Sequence, residues 1–228
     1  MSTFDPRLDI LSPAQRALWS GLKAIPKNGF TLYGGTALAL RLGHRSSVDF
    51  DFFSDLPIDR DKLYREIPFL QQGQVLQDEG DALTLSIPSK GEFVKVSFYG
   101  NIGFGRVGFP DFTADNALEV ASLIDIFGTK LKVILQRAEA KDYKDIVALL
   151  KSGQNLESGL GAAQALFGSQ LQPSESLKAL SYFEDGDLRT LTGEERSILS
   201  RAAAGINDIE RLPIQSRTLS GDDLQIER

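Results

Sequence analysis

An α+β fold, a mixed sheet flanked by helices and followed by a helical C-terminal part, is predicted by three features of this 228-residue chain. Short strands and helices alternate through the first half. From about residue 113 the apolar pattern becomes helical only. Gly and Pro turns separate the β-rich stretches between these regions. The expected division is residues 1–112 as an α/β core with an N-terminal helix, and residues 113–228 as a helical region packed on that core.

Ser12-Pro13 opens the first helix, because serine caps well and proline suits the first helical position. Ala17, Leu18, Leu22 and Ile25 continue it at helical spacing, and Pro26-Lys27-Asn28-Gly29 breaks it. Residues 30–33 read as a short strand ending in Gly34-Gly35, and residues 36–42 as a short helix stopped by Gly43. Residues 48–53 alternate with period two and form a strand, with Val48, Phe50 and Phe52 facing the core. A helix is expected at 59–69, strands at 74–77, 82–87 and 92–99, and a short edge at 105–109. Further helices are expected at 118–137, 142–150, 156–167, 174–183 and 194–204. The polar tail from Arg211 is expected to be poorly ordered.

Composition excludes several chemistries. With no cysteine there is no disulfide framework, thiol nucleophile or Cys-ligated metal, and the single histidine excludes a multi-His centre. No apolar run approaches the ~18–20 residues of a membrane span, and MSTFDPRLD has no signal-peptide pattern, so a cytoplasmic protein without a membrane partner is expected. The net charge of −6 argues against a general nucleic-acid coat. Residues 128–151, however, carry six basic side chains against three acidic ones.

Two stretches carry candidate chemistry. In Tyr33-Gly34-Gly35-Thr36-Ala37-Leu38 a strand runs through two glycines into a helix, which brings backbone N–H groups and a helix N-terminus together. Glycine lets a phosphate approach, the helix dipole favours its charge, and Thr36 could add a hydroxyl donor. The plain alternative is a tight turn. Asp49 and Asp51 then share one face of the next strand. A divalent cation would relieve their repulsion, and Mg²⁺ typically takes one or two carboxylates plus substrate phosphates; a solvent-facing strand surface, or one carboxylate kept protonated, is the plain alternative. Arg45 is placed to grip phosphate bidentately, and neither it nor His44 reads as a base. Further on, Lys130 and Arg137 share a face if their helix is continuous. Lys132, Lys144 and Lys151 read as solvated. Asp142 and Asp145 are neighbours on a helix, although Asp142 could also be its N-cap.

Gly34-Gly35-Thr36-Ala37-Leu38 followed by His44-Arg45-x-Ser47-x-Asp49-x-Asp51-Phe52-Phe53 resembles the AbiEii/AbiGii-type nucleotidyltransferase toxin family of the DNA polymerase β-like superfamily. Lys130-Leu131-Lys132, Arg137 and Lys141-Asp142-x-x-Asp145 are similar to that family's later motifs, so the resemblance covers roughly residues 28–150. It implies a polymerase β-like nucleotidyltransferase sheet and transfer of a nucleoside monophosphate from an NTP with Mg²⁺ (or Mn²⁺). The acceptor would be tRNA or another nucleic acid, and the protein a toxin of a toxin–antitoxin or phage-defence module with a cognate antitoxin. Carried over, Gly34, Gly35, Thr36 and Arg45 would hold the nucleotide, Asp49 and Asp51 the metal, Lys130 a phosphate, and Asp142 would be a later catalytic acid.

One position departs from the pattern. The strand that carries a third carboxylate in many superfamily members reads Phe93-Val94-Lys95-Val96-Ser97-Phe98-Tyr99, with Lys95, Ser97 and Tyr99 on the site side and Ser97 in the acid's place. A weakly held second metal, substitution by Asp142 or Asp145, and lost chemistry are all compatible with it. A non-catalytic nucleotide- or partner-binding protein and a small-molecule nucleotidyltransferase are therefore the competing readings.

Overall fold

The computed structural model describes residues 2–221. The chain forms two compact units. The first takes residues 2–105, 109–122 and 216–221; the second takes 106–108 and 123–215. The expected boundary at 112 falls inside a strand of the first unit. The chain leaves this unit for the helices and then returns to it.

The first unit is built on an eight-stranded sheet: β1 (Thr3–Phe4), β2 (Thr31–Tyr33), β3 (Asp49–Phe53), β4 (Gln74–Glu79), β5 (Ala82–Ser89), β6 (Glu92–Tyr99), β7 (Asp111–Thr113) and β8 (Glu119–Val120). Their spatial order is β1-β7-β8-β2-β3-β6-β5-β4. The sheet is mixed: β3 is antiparallel to β2 and parallel to β6. One face is the core. Leu32, Phe50, Phe52, Leu83, Leu85, Ile87, Val94, Val96 and Phe98 are all at most 1% exposed, and Phe52 stacks on Phe98 at 5.4 Å. Val48 is not part of this face. The strand begins at Asp49 and Val48 is 65% exposed.

Three helices belong to this unit: α1 (Pro13–Leu18), α2 (Gly34–Leu42) and α3 (Arg60–Glu66). Ser12 and Gln15 form a reciprocal capping box at α1, as the Ser-Pro start predicts. The expected long first helix is shorter, because from Trp19 to Ala24 the chain tightens into a 3-10 helix. α2 begins two residues earlier than predicted and ends on Gly43 in the left-handed conformation. The expected edge at 105–109 is instead β7 and β8, where Glu119–Val120 had been expected to start a long helix. Residues 216–221 return to this unit. Leu219 is fully buried, its N–H donates to Asp55 Oδ1 at 2.9 Å, and the Gly221 N–H donates to the Glu119 carboxylate. That part of the tail is ordered, contrary to expectation; residues 222–228 lie outside the described residues.

The second unit contains α4 (Leu123–Val133), α5 (Ala140–Lys151), α6 (Leu156–Phe167), α7 (Pro173–Ala179) and α8 (Gly193–Ala204). Asp125 of α4 accepts the N–H groups of Val107 (2.7 Å) and Gly108 (3.1 Å), which ties the 106–108 segment to the helices.

Candidate active site

The register of the sheet assembles the first cluster. Asp51 lies opposite Tyr33 on β2 and opposite Ser97 on β6, while Asp49 lies opposite Lys95. Paired residues share a face, so Tyr33, Asp49, Asp51, Phe53, Lys95, Ser97 and Tyr99 line the side away from the core. Phe53 stacks on Tyr33 at 5.0 Å and meets Tyr99 edge-on at 5.3 Å, which leaves the Asp49 end of this face as the polar one.

The glycine turn closes against that end. Gly34 has φ +75°, in the left-handed region, and a Cβ there would lie 3.1 Å from Asp51 Oδ2. A Cβ on Gly35 would run into the Arg45 guanidinium. Arg45 is steadied by donation from Nη1 to the Ser46 carbonyl at 3.0 Å. The buried Thr36 hydroxyl donates to the Asp49 carbonyl and lies 2.8 Å from the Ser47 hydroxyl oxygen. α2 itself begins without a side-chain cap. Lys95 Nζ is 3.2 Å from Asp49 Oδ2, the two side chains being 44% and 34% exposed. Partial burial pulls the Lys95 pKa down, but Asp49, by hydrogen bond and charge, and Asp51, by charge, raise it on balance, so the ammonium stays charged. Ser97 is fully buried and its Oγ has no hydrogen-bond partner among the described residues.

A second cluster lies within the helical unit. Lys130 Nζ is 2.7 Å from Asp142 Oδ1 and 2.6 Å from Asp145 Oδ2, and Arg137 Nε is 2.8 Å from Asp142 Oδ2. Both carboxylates are completely buried and Lys130 is 6% exposed, whereas Arg137 is 46% exposed. Burial alone would raise the Asp142 pKa, but Lys130 and Arg137 together outweigh it and hold the carboxyl below its ordinary range. Asp142 is not the cap of α5; that position is Glu139. α4 stops at Val133, so Lys130 and Arg137 do not share a continuous helix face but converge on Asp142 from a helix and the turn after it. Lys141 pairs with Glu139 rather than Asp145.

A family model for the nucleotidyl transferase AbiEii toxin, type IV toxin–antitoxin system, matches residues 16–208. The chain belongs to the AbiEii nucleotidyltransferase toxin family. It is also 32% identical over 161 residues to the uncharacterised protein aq_aa25 of Aquifex aeolicus (strain VF5), a match covering 69% of this chain and 75% of that one. Two solved structures are similar in fold. One is a candidate nucleotidyltransferase of H. pylori, 19% identical with a TM-score of 0.56, covering 83% of this chain and 91% of that one. The other is MenT4, the nucleotidyltransferase toxin Rv2826c of Mycobacterium tuberculosis H37Rv, 15% identical with a TM-score of 0.56 over 84% and 83%. AbiEii membership makes the protein a transferase of nucleotidyl groups, and implies a nucleotide substrate and an antitoxin partner. Among the described residues, no helix is long and apolar enough to cross a membrane.

For this AbiEii protein the structure brings Gly34, Gly35, Arg45, Asp49 and Asp51 together on one end of the sheet face. Thr36 sits beneath them with its hydroxyl engaged by protein oxygens, so it steadies the approach to β3. Lys130 and Asp142 are joined to each other in the helical unit. Sequence reasoning assigned no role to Lys95 and none to Ser47; the β3–β6 register is the signal that finds the first. The residues present fit a divalent ion. Asp49 and Asp51 would offer oxygen ligands of the kind Mg²⁺ takes alongside phosphates, and Ser97, with its unpaired Oγ, stands opposite Asp51 in register.

Proposed function

We propose that this protein transfers a nucleoside monophosphate from an NTP to a hydroxyl of a nucleic-acid acceptor, tRNA in the first instance, as the Mg²⁺-dependent toxin of a cytoplasmic toxin–antitoxin or phage-defence module. The observation that carries the reading is the Gly34-Gly35 turn closing on Asp51, with Asp49 beside it on the same strand face. The acceptor oxygen bonds to the α-phosphorus, the bond from that phosphorus to the oxygen bridging the α- and β-phosphates breaks, pyrophosphate leaves, and the hydroxyl proton passes to solvent.

Such a step asks the protein for position and charge rather than covalent chemistry. The uncapped N–H groups at the start of α2 bind phosphate oxygens, and the absence of a Cβ at Gly34 and Gly35 lets them come close. Arg45, held over Gly35, adds a fixed cation. Asp49 and Asp51 would hold Mg²⁺, which when bound supplies Lewis-acid stabilisation of charge on the phosphates. In the helical unit, Lys130 and Asp142 form one buried cluster that fixes Arg137, whose guanidinium is half-exposed.

Incubation with each labelled NTP and total tRNA, with and without Mg²⁺, tests the proposal. Mg²⁺-dependent label in the tRNA, lowered by roughly 100- to 1,000-fold in Asp51→Asn, is expected. Label that appears on no nucleic acid with any NTP would overturn the acceptor, and label without Mg²⁺ would overturn the metal.

A further inference from the structure

β6 contributes an ammonium and a hydroxyl, not a carboxylate, to the face that carries Asp49 and Asp51. Lys95 stands in register with Asp49 and contacts it at 3.2 Å, and Ser97 stands in register with Asp51 with its buried Oγ unpartnered. In the helical unit, Asp142 and Asp145 already hold cations of their own, Lys130 at 2.7 and 2.6 Å and Arg137 at 2.8 Å from Asp142.

Charge decides what this arrangement suits. Three carboxylates with two divalent ions carry one net positive charge. Two carboxylates with one ammonium and one divalent ion carry the same net positive charge. Exchanging an acid for a lysine therefore offsets the loss of one divalent ion, and a polyphosphate meets an equal field in either case. An ammonium is also a point charge on a flexible stem, able to leave a carboxylate for a phosphate without changing its own charge.

We propose that Lys95 takes the place of a second metal ion, so that this protein works with a single divalent cation per active site. Resting on the nucleotide-transfer reading above, the inference assigns Lys95 two positions. Without nucleotide it pairs with Asp49 and keeps the two carboxylates from repelling each other. With nucleotide it turns to the phosphates while the cation occupies Asp49 and Asp51. Ser97 serves the same arrangement, since a neutral hydroxyl opposite Asp51 accommodates a water of the one cation without attracting another.

The test counts Mn²⁺ on the full-length chain in the presence of a non-hydrolysable NTP analogue, by the electron paramagnetic resonance of the free ion and by calorimetry. One ion per wild-type chain is expected, and two per Lys95→Glu chain, where the acid is restored. Two ions on the wild type, or one on both, would overturn the proposal while leaving the nucleotide-transfer reading in place. If the wild type binds neither ion nor analogue, both fall together. Lys95→Met guards against a Lys95→Glu chain that does not fold. It should still bind one ion, tighten Mn²⁺ binding in the absence of nucleotide, and weaken the analogue by roughly tenfold. A Lys95 that forms only a surface ion pair would leave both affinities at the wild-type value.

Discussion

Two lysine–aspartate contacts in this molecule use the same chemistry to opposite ends. Lys95 and Asp49 meet at 3.2 Å with both side chains substantially exposed. Lys130 meets Asp142 and Asp145 at 2.7 and 2.6 Å with all three buried. The first pair costs little to open, because water can replace each partner. The second cannot open without stranding charge in the interior, where an unpaired ion is heavily penalised. A contact of the first kind can exchange its partner for a ligand. One of the second kind holds a shape and a neighbouring arginine in place.

That contrast can be broken or sharpened by experiment. The largest effect should come from Lys130→Ala, which leaves two buried carboxylates short of a cation and should destabilise the protein by about 3–5 kcal/mol in urea unfolding. A Lys130→Ala chain that unfolds no more easily than Lys95→Met would erase the distinction. Asp51→Asn should follow, lowering transfer by roughly 100- to 1,000-fold and removing Mg²⁺-dependent NTP binding, with the urea midpoint unmoved. Undiminished NTP affinity by calorimetry would take the metal role away from Asp51.

Acid sharpens the contrast next. The Asp142 pKa is held below its unfolded value, so its contribution to stability is complete above about pH 4 and drains away as the pH falls through the folded-state value. Wild type should lose stability in that range more steeply than Asp142→Asn, followed by urea titration at successive pH values. Gly34→Ala should be milder, about 1–2 kcal/mol for a side chain at positive φ, with a larger loss in NTP affinity because the new Cβ crowds Asp51. Equal losses in both would make the turn purely structural. Smallest of all, Lys151→Ala removes only an exposed contact with Glu194 and should leave melting temperature and transfer unchanged.

Much of the fold was legible because local signals agreed. Ser12-Pro13 marks the start of the first helix, and the alternation through Asp49–Phe53 and Glu92–Tyr99 each correspond to a strand close to its expected limits. The element at Glu119–Val120 was missed because Leu118, Val120 and Ala121 suit a helix as well as a buried strand, and only pairing with β2 and β7 decides between them. Of the candidate site, the grouping of the glycine turn with Asp49 and Asp51 follows from sequence order, since one short helix separates neighbouring strands. Lys95 was legible only as a residue on the right face, because its contact with Asp49 depends on a parallel register that no local pattern encodes. The burial of Lys130 was hidden for a related reason. A segment rich in lysine looks solvated until the partners of each residue are known, and Lys130 faces two fully buried acids.

The return of residues 216–221 to the sheet unit has a consequence for the timing of synthesis. A ribosome delivers β1 through β8 first and the helices next, and only then the segment that buries Leu219 and brings backbone donors to Asp55 and Glu119. The sheet unit is thus begun before the helical unit and closed after it, with 93 residues of the helical unit, 123–215, made in between. A nascent chain halted anywhere in that interval lacks the segment that buries Leu219 and supplies donors to Asp55 and Glu119.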